Sequence, residues 1–191
     1  MNLIEQYLED IRTLTKAIPT STTQRIVSIL TDAYNRDNKL ILMGNGGSSS
    51  TASHLVADFQ KLIYLAKYKP FQVLSLTDNV PLITAWSNDT DYSNIFAEQI
   101  RTWAGPGDIV MAFSGSGNSP NVLKGISMAV SKGATTVGFS GFDGGKLSKI
   151  VGISLVVPCN NMQKIEDMHM MLGHMIFYSM CEGLKYGEGI T

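Results

Sequence analysis

A three-layer α/β/α sandwich around a five-stranded parallel sheet is the fold this sequence predicts, on three observations. Five short apolar runs, at 40–43, 71–76, 109–113, 135–139 and 153–157, contain β-branched or aromatic residues and are bounded by Gly, Ser or Pro. Stretches with helical spacing alternate with them, and that alternation calls for parallel strands covered on both faces. The 191 residues are 44% hydrophobic and 16% charged, enough to bury one core without disulfides or a structural metal.

Two helices are expected ahead of the first strand. Leu3, Ile4, Tyr7, Leu8, Ile11 and Leu14 fall on one helical face. Pro19 interrupts, and Ser21 with Gln24 has the spacing of a capping box. Ile26, Val27, Leu30 and Tyr34 then make a second face, with Ile29 at its edge. This pair, residues 1–37, either caps the sheet or mediates oligomer contacts. The remaining chain carries no repeat, linker or charge block, so 1–191 reads as one domain. The last helix is expected over 164–185, where Met168, Met170, Met171, Met175 and Met180 form a stripe suited to core or subunit packing.

Composition narrows the function. A net charge of −1 offers no electrostatic footprint for nucleic acid or an anionic membrane. Cys159 and Cys181 form no CxxC pair, which argues against a zinc ribbon or redox couple and suits a reducing compartment. The first residues lack a basic region and an apolar stretch, and no apolar run approaches the ~18 residues of a membrane span. A soluble, cytoplasmic location is the expectation.

Two loops carry the candidate chemistry. Residues 43–50, Met-Gly-Asn-Gly-Gly-Ser-Ser-Ser, connect the first strand to a helix. Glycines admit an anion close to the backbone, and free amides at a helix start with serine hydroxyls favour phosphate or sugar oxygens. The pattern is neither a Walker loop nor GxGxxG. Residues 113–120, Phe-Ser-Gly-Ser-Gly-Asn-Ser-Pro, repeat the arrangement after the third strand, and Pro120 suits the first turn of the next helix. Ligands of parallel sheets bind outside the carboxyl ends of strands, where both loops fall. A tight turn explains either loop alone; two at one sheet edge point to a site.

His54 and Asp58 stand four apart on the helix leaving the first loop. With Thr51 and Lys61 they form a polar stripe beside Leu55, Phe59 and Leu62. An imidazole and a carboxylate one turn apart can bind a divalent metal, or simply face solvent. Glu166, His169 and His174 lie on the last helix. Glu166 and His169, three apart, can share a face, and both histidines are also plausible core residues.

These motifs have a family likeness. Gly44-Asn-Gly-Gly-Ser48, Ser114-Gly-Ser-Gly-Asn-Ser119 and Gly141-Phe-Asp-Gly-Gly145 resemble the sugar isomerase (SIS) domain, in particular the phosphoheptose isomerases, over nearly the whole chain. The resemblance implies that the second loop, with Ser114, Gly115, Ser116 and Ser119, binds phosphate. It implies that Asn45, Gly46 and Gly47 contact the sugar, and it adds Asn88 and Asp89 to the substrate site. It implies a metal, zinc or another divalent ion, on His54, Asp58, Glu166 and His174. Asp58 and His174 would transfer protons, with Asp58 and Glu166 also facing substrate. Asp58 replaces the family's Glu and Glu166 its Gln; both keep an oxygen ligand. Eight residues of straight helix rise by about 12 Å, so Glu166 and His174 of one chain cannot share one metal unless the helix is broken, and the simpler expectation is that a neighbouring subunit supplies one ligand.

The implied activity is conversion of sedoheptulose 7-phosphate to D-glycero-D-manno-heptose 7-phosphate by a homo-oligomer, a tetramer by resemblance. The rivals are an isomerase of another ketose phosphate, a sugar-phosphate sensor, and a non-catalytic relative that binds the replication initiator. That last branch lacks the last-helix histidine, and His174 is present here.

Overall fold

The computed structural model describes residues 2–61 and 69–185. Two helices, α1 (Leu3–Lys16) and α2 (Thr20–Asn35), precede strand β1 (Leu40–Gly44). There follow α3 (Gly47–Gln60), β2 (Val73–Ser75), α4 (Val80–Asp89), a 3-10 turn (Tyr92–Asn94), α5 (Ala97–Trp103) and β3 (Ile109–Ser114). The chain continues as α6 (Pro120–Ser131), β4 (Thr135–Ser140), α7 (Leu147–Ile150), β5 (Ile153–Val156) and α8 (Met162–Lys185). All strand pairs are parallel, in the order β2-β1-β3-β4-β5.

Alternation along the strands explains the layers. Leu40 and Leu42 point into one cluster with Ile26, Leu30, Leu55, Phe59 and Met168, beneath α2, α3 and α8. Ile41 and Met43 point the other way, toward Phe96, Ile100, Val122 and Ile126 beneath α5 and α6. The central strands β1 and β3 are buried on both sides, as helix-covered parallel strands must be, whereas the edge strands β2 and β5 are buried on one side and half-buried on the other.

Three sequence expectations change in detail. The edge strand β2 holds only Val73–Ser75 of the expected 71–76, although Phe71 and Leu76 are buried. An edge strand has one partner, and pairing to β1 spans just three residues. The capping box at Ser21 and Gln24 is absent. Helix α2 starts at Thr20 directly after Pro19, so Ser21 already lies inside the first turn, and the Pro19 carbonyl accepts from Thr23 N–H at 3.1 Å. A capping box closes α1 instead: Asn2 Oδ1 accepts from Glu5 N–H, and Glu5 Oε2 from Asn2 N–H, each at 2.9 Å. Leu62, placed in the apolar face of α3, lies outside the described residues. The methionine stripe divides. Met168 and Met180 are fully buried, whereas Met175 is 37% exposed.

Two features of this scaffold set the site. Strand order reverses between β1 and β3, and the two glycine/serine loops leave the carboxyl ends of those strands. Helices α3 and α8 lie close along one seam. A side chain on Gly173 would come within 2.8 Å of Leu55, so glycine there permits the approach.

Candidate functional site

The two loops form one cleft of about 240 Å³. Asn45, Gly46, Gly47, Ser114, Gly115, Ser116, Ser119 and Glu166 all line it, with Phe113 forming part of the wall. Gly46 has φ 53°, a left-handed conformation that glycine adopts freely, and α3 begins on the next residue. Ser114 Oγ lies 3.3 Å from Ser119 Oγ, and Ser116 Oγ accepts from Asn118 N–H at 3.2 Å.

The loops are joined by a side-chain pair that sequence reading missed. Asn45 Nδ2 donates to Asn121 Oδ1 at 2.9 Å, and Asn121 Nδ2 donates back to Asn45 Oδ1 at 2.8 Å. Tyr92 OH also donates to Asn45 Oδ1, at 3.2 Å. Asn121 is buried, and its Oδ1 accepts from Val122 N–H at 3.0 Å. A buried amide must have partners, and these fix the direction of Asn45. The available signal was an amide directly after the helix-starting Pro120.

The carboxylate of Glu166 packs against the α-carbon of Gly47, where any added Cβ would collide with it. It therefore sits at the N-terminal end of α3, where negative charge is favoured.

At the other end of the α3–α8 seam three side chains converge. His54 Nε2 and His174 Nε2 are 2.8 Å apart, and Asp58 Oδ2 lies 3.5 Å from the first and 3.4 Å from the second. The imidazoles are about half exposed and meet edge to face, with centroids 4.9 Å apart. Two nitrogens and one carboxylate oxygen are a donor set suited to zinc, whose tetrahedral bonds of about 2.0–2.1 Å place ligands roughly 3.3 Å apart. The donor types and the two Asp58 separations fit such an ion, while the two Nε2 atoms, at 2.8 Å, stand closer than zinc would hold them.

Of the four residues assigned to the metal by resemblance, the chain brings together His54, Asp58 and His174 and holds Glu166 apart, in the loop cleft. The rise of α8 between positions 166 and 174 is the reason. Asn88 and Asp89 end helix α4, exposed, with Asn88 Nδ2 donating to Asp89 Oδ1 at 2.8 Å. They are not among the residues lining the loop cleft. Trp86 packs, partly buried, on the second core cluster.

His169 is a core histidine. It is 1% exposed, its Nε2–H donates to the Ser140 carbonyl at 3.2 Å, and its ring lies near those of Phe113 and Phe139. Burial lowers its pKa from 6.5 to about 4, against the opposing hydrogen bond. The fold thus holds this ring neutral. Its contribution to stability is complete above pH 6.5 and is lost as pH falls from 6.5 toward 4, because the unfolded chain gains a proton first. The expected loss is about 3 kcal/mol. Urea unfolding at pH 7 and pH 4.5 should display it, and His169→Leu should flatten that difference; an equal slope in both proteins would contradict the assignment.

The sequence model of the SIS domain family matches residues 6–141. A phosphoheptose isomerase from Geotalea daltonii is 36% identical over 163 residues, covering 85% of this chain and 84% of the relative. One from Aliarcobacter butzleri is 33% identical over 176 residues, covering 91% and 93%. Among solved structures, the phosphoheptose isomerase of Neisseria gonorrhoeae superposes with a TM-score of 0.84 at 25% identity, over 93% of this chain and 94% of that one.

Proposed function

Since this chain belongs to the phosphoheptose isomerase family of SIS-domain proteins, we propose that it converts sedoheptulose 7-phosphate to D-glycero-D-manno-heptose 7-phosphate. It is an aldose–ketose isomerase. The observation that carries the residue assignment is the single seam with the loop cleft at one end and His54, Asp58 and His174 at the other.

The phosphate is assigned to Ser114, Ser116 and Ser119. Two helix N-termini face the cleft. Glu166 occupies that of α3, which leaves the start of α6 and the serine hydroxyls for the anion. Asn45, Gly46, Gly47 and Glu166 then meet the sugar hydroxyls, and Asn88 and Asp89 are kept as substrate contacts by resemblance. The seam between positions 166 and 174 rises about 12 Å, a span that an open-chain heptose phosphate can follow. Anchoring the phosphate far from the reacting carbons directs binding energy to the chemical step.

Isomerisation moves one proton between adjacent carbons and one between their oxygens, with no net oxidation. A base removes the proton from the carbon beside the ketone, an enediol forms, and a proton returns to the former carbonyl carbon. His174 is the proposed general acid/base, its imidazole half exposed beside Asp58 at the end of the seam. Asp58, between the two imidazoles, either holds a metal with His54 or serves as the second proton-transfer group. In the metal-bound alternative His54, Asp58 and His174 would hold a zinc ion, with a fourth ligand such as a neighbour's Glu166; that ion would supply Lewis-acid polarisation of the carbonyl, and His174 would then serve as a ligand and not as the proton carrier.

The reading is of one domain, and assembly belongs to it. Leu3, Ile4 and Leu8 on α1, and Tyr178 on α8, leave apolar surface exposed, which supports a homo-oligomer, a tetramer by resemblance. Light scattering at micromolar concentration is expected to find it, and a monomer would remove the shared-ligand argument. Among the described residues no helix is long and apolar enough to cross a membrane, and a cytoplasmic location is proposed. The test of function is incubation with sedoheptulose 7-phosphate, with and without zinc, and analysis of the sugar formed. The aldoheptose is the expected product; binding without conversion at any metal loading would overturn the enzymatic reading.

A further inference from the structure

The Gly141–Gly145 motif has no part in the chemistry above, yet it packs directly on the serine-rich loop. Four consecutive carbonyls of that loop each accept a hydrogen bond from within the protein. Ser114 O accepts from Gly117 N–H at 2.9 Å, and Gly115 O from Gly141 N–H at 2.8 Å. Ser116 O accepts from the side-chain Nδ2 of Asn118 at 2.9 Å, and Gly117 O from Leu147 N–H at 2.9 Å. Asn118 joins both loops, because its Oδ1 accepts from Lys146 N–H at 3.1 Å. The contact is tight. A Cβ on Gly117 would collide with the Gly144 carbonyl, and one on Gly145 would lie 2.6 Å from Ser116 O.

The electrostatic consequence follows from the carbonyl dipole. A carbonyl oxygen carries partial negative charge and repels a phosphate, so a loop that holds one must turn its N–H groups inward and its carbonyls away. A glycine-rich loop has the freedom to do either. Here three of the four carbonyls are held by two backbone N–H groups of the 141–147 segment and the Asn118 side-chain amide, and the fourth by Gly117 N–H of the loop itself.

We propose that Asn118, fastened to the 141–147 loop, is a positioning residue that holds the Ser116 carbonyl of the serine-rich loop away from the bound phosphate, and so sets affinity for the phosphate-bearing sugar without touching it. The proposal rests on the reading that this loop takes the phosphate. Two substitutions cut the same bond from opposite ends. Asn118→Ala removes the side chain. Lys146→Pro removes the N–H that Asn118 Oδ1 accepts, at a φ of −73° that proline adopts, and also the lysine side chain, so it is read against Lys146→Ala, which loses the charge but keeps the N–H.

The experiment titrates inorganic phosphate into wild type and both variants by calorimetry, and measures KM and kcat with sedoheptulose 7-phosphate. Both variants are expected to weaken phosphate binding by about three- to tenfold, the scale of one lost hydrogen bond. KM should rise in the same proportion, while kcat falls by less than about twofold, since the proton-transferring groups lie at the far end of the seam. A purely structural role would lower the folded, active fraction, reducing kcat with KM unchanged. That pattern, or wild-type phosphate affinity in either variant, overturns the positioning role and leaves the phosphate assignment standing. A wild-type protein that does not bind phosphate overturns both.

Discussion

His174→Asn is expected to reduce isomerisation by ~10²-fold or more, the usual scale for a positioned acid or base. The fold should survive, because the imidazole is about half exposed and His54 keeps Asp58 as a partner at 3.5 Å. Asparagine retains polarity and approximate size but cannot exchange protons at neutral pH. Full turnover in the purified variant would remove the catalytic role and favour a binding-only protein. The companion substitutions divide Asp58's two roles. A metal-bound carboxylate is a weaker base, because the cation favours its ionised form. If Asp58 is chiefly a ligand, His54→Ala and Asp58→Asn should lose metal and activity together. If it is chiefly the base, Asp58→Asn should retain metal, measured by elemental analysis, and lose turnover.

Ser116→Asp is expected to abolish sugar-phosphate binding. The new carboxylate would stand beside the bound phosphate, and two like charges about 4 Å apart at an effective dielectric of 20 repel by about 4 kcal/mol. That corresponds to roughly 10³-fold in affinity for each phosphate charge engaged. The backbone has reason to persist, since Ser116 Oγ acts as an acceptor for Asn118 N–H and an aspartate oxygen can accept the same bond. Ser116→Ala serves as the comparison, losing a hydroxyl without adding charge. Calorimetry decides the matter: unchanged affinity in the aspartate variant would place the phosphate elsewhere.

The two positions where the resemblance leads one to expect Glu and Gln, Asp58 and Glu166, fall on different ends of the seam. Asp58 is one methylene shorter than glutamate, yet its Oδ2 reaches both imidazoles. Glu166 adds charge where the pattern has an amide, and that charge sits against Gly47 at a helix N-terminus. The first change is accommodated within the cluster, and the second by the helix dipole.

What the sequence determined by itself was whatever local chemistry decides. Apolar runs bounded by glycine and proline marked all five strands, since strand and turn preferences act over a few residues. Gly-Asn-Gly-Gly-Ser and Ser-Gly-Ser-Gly-Asn-Ser marked the loops, because tight turns with positive φ at Gly46 and Gly117 call for glycine. The pairing of His54 with Asp58 followed from helical spacing. Only the tertiary structure decided what crosses between elements. Spacing alone left both 169 and 174 open as partners of His54 and only the resemblance selected 174; in the structure α8 turns the first onto Ser140 in the core and the second onto Asp58. The Asn45–Asn121 pair, the placing of Glu166 on Gly47, and the clasp of the 141–147 loop on the serine-rich loop join residues 76, 119 and 28 positions apart. Such partners are chosen by the packing of helices and the order of strands, and no local pattern encodes that choice.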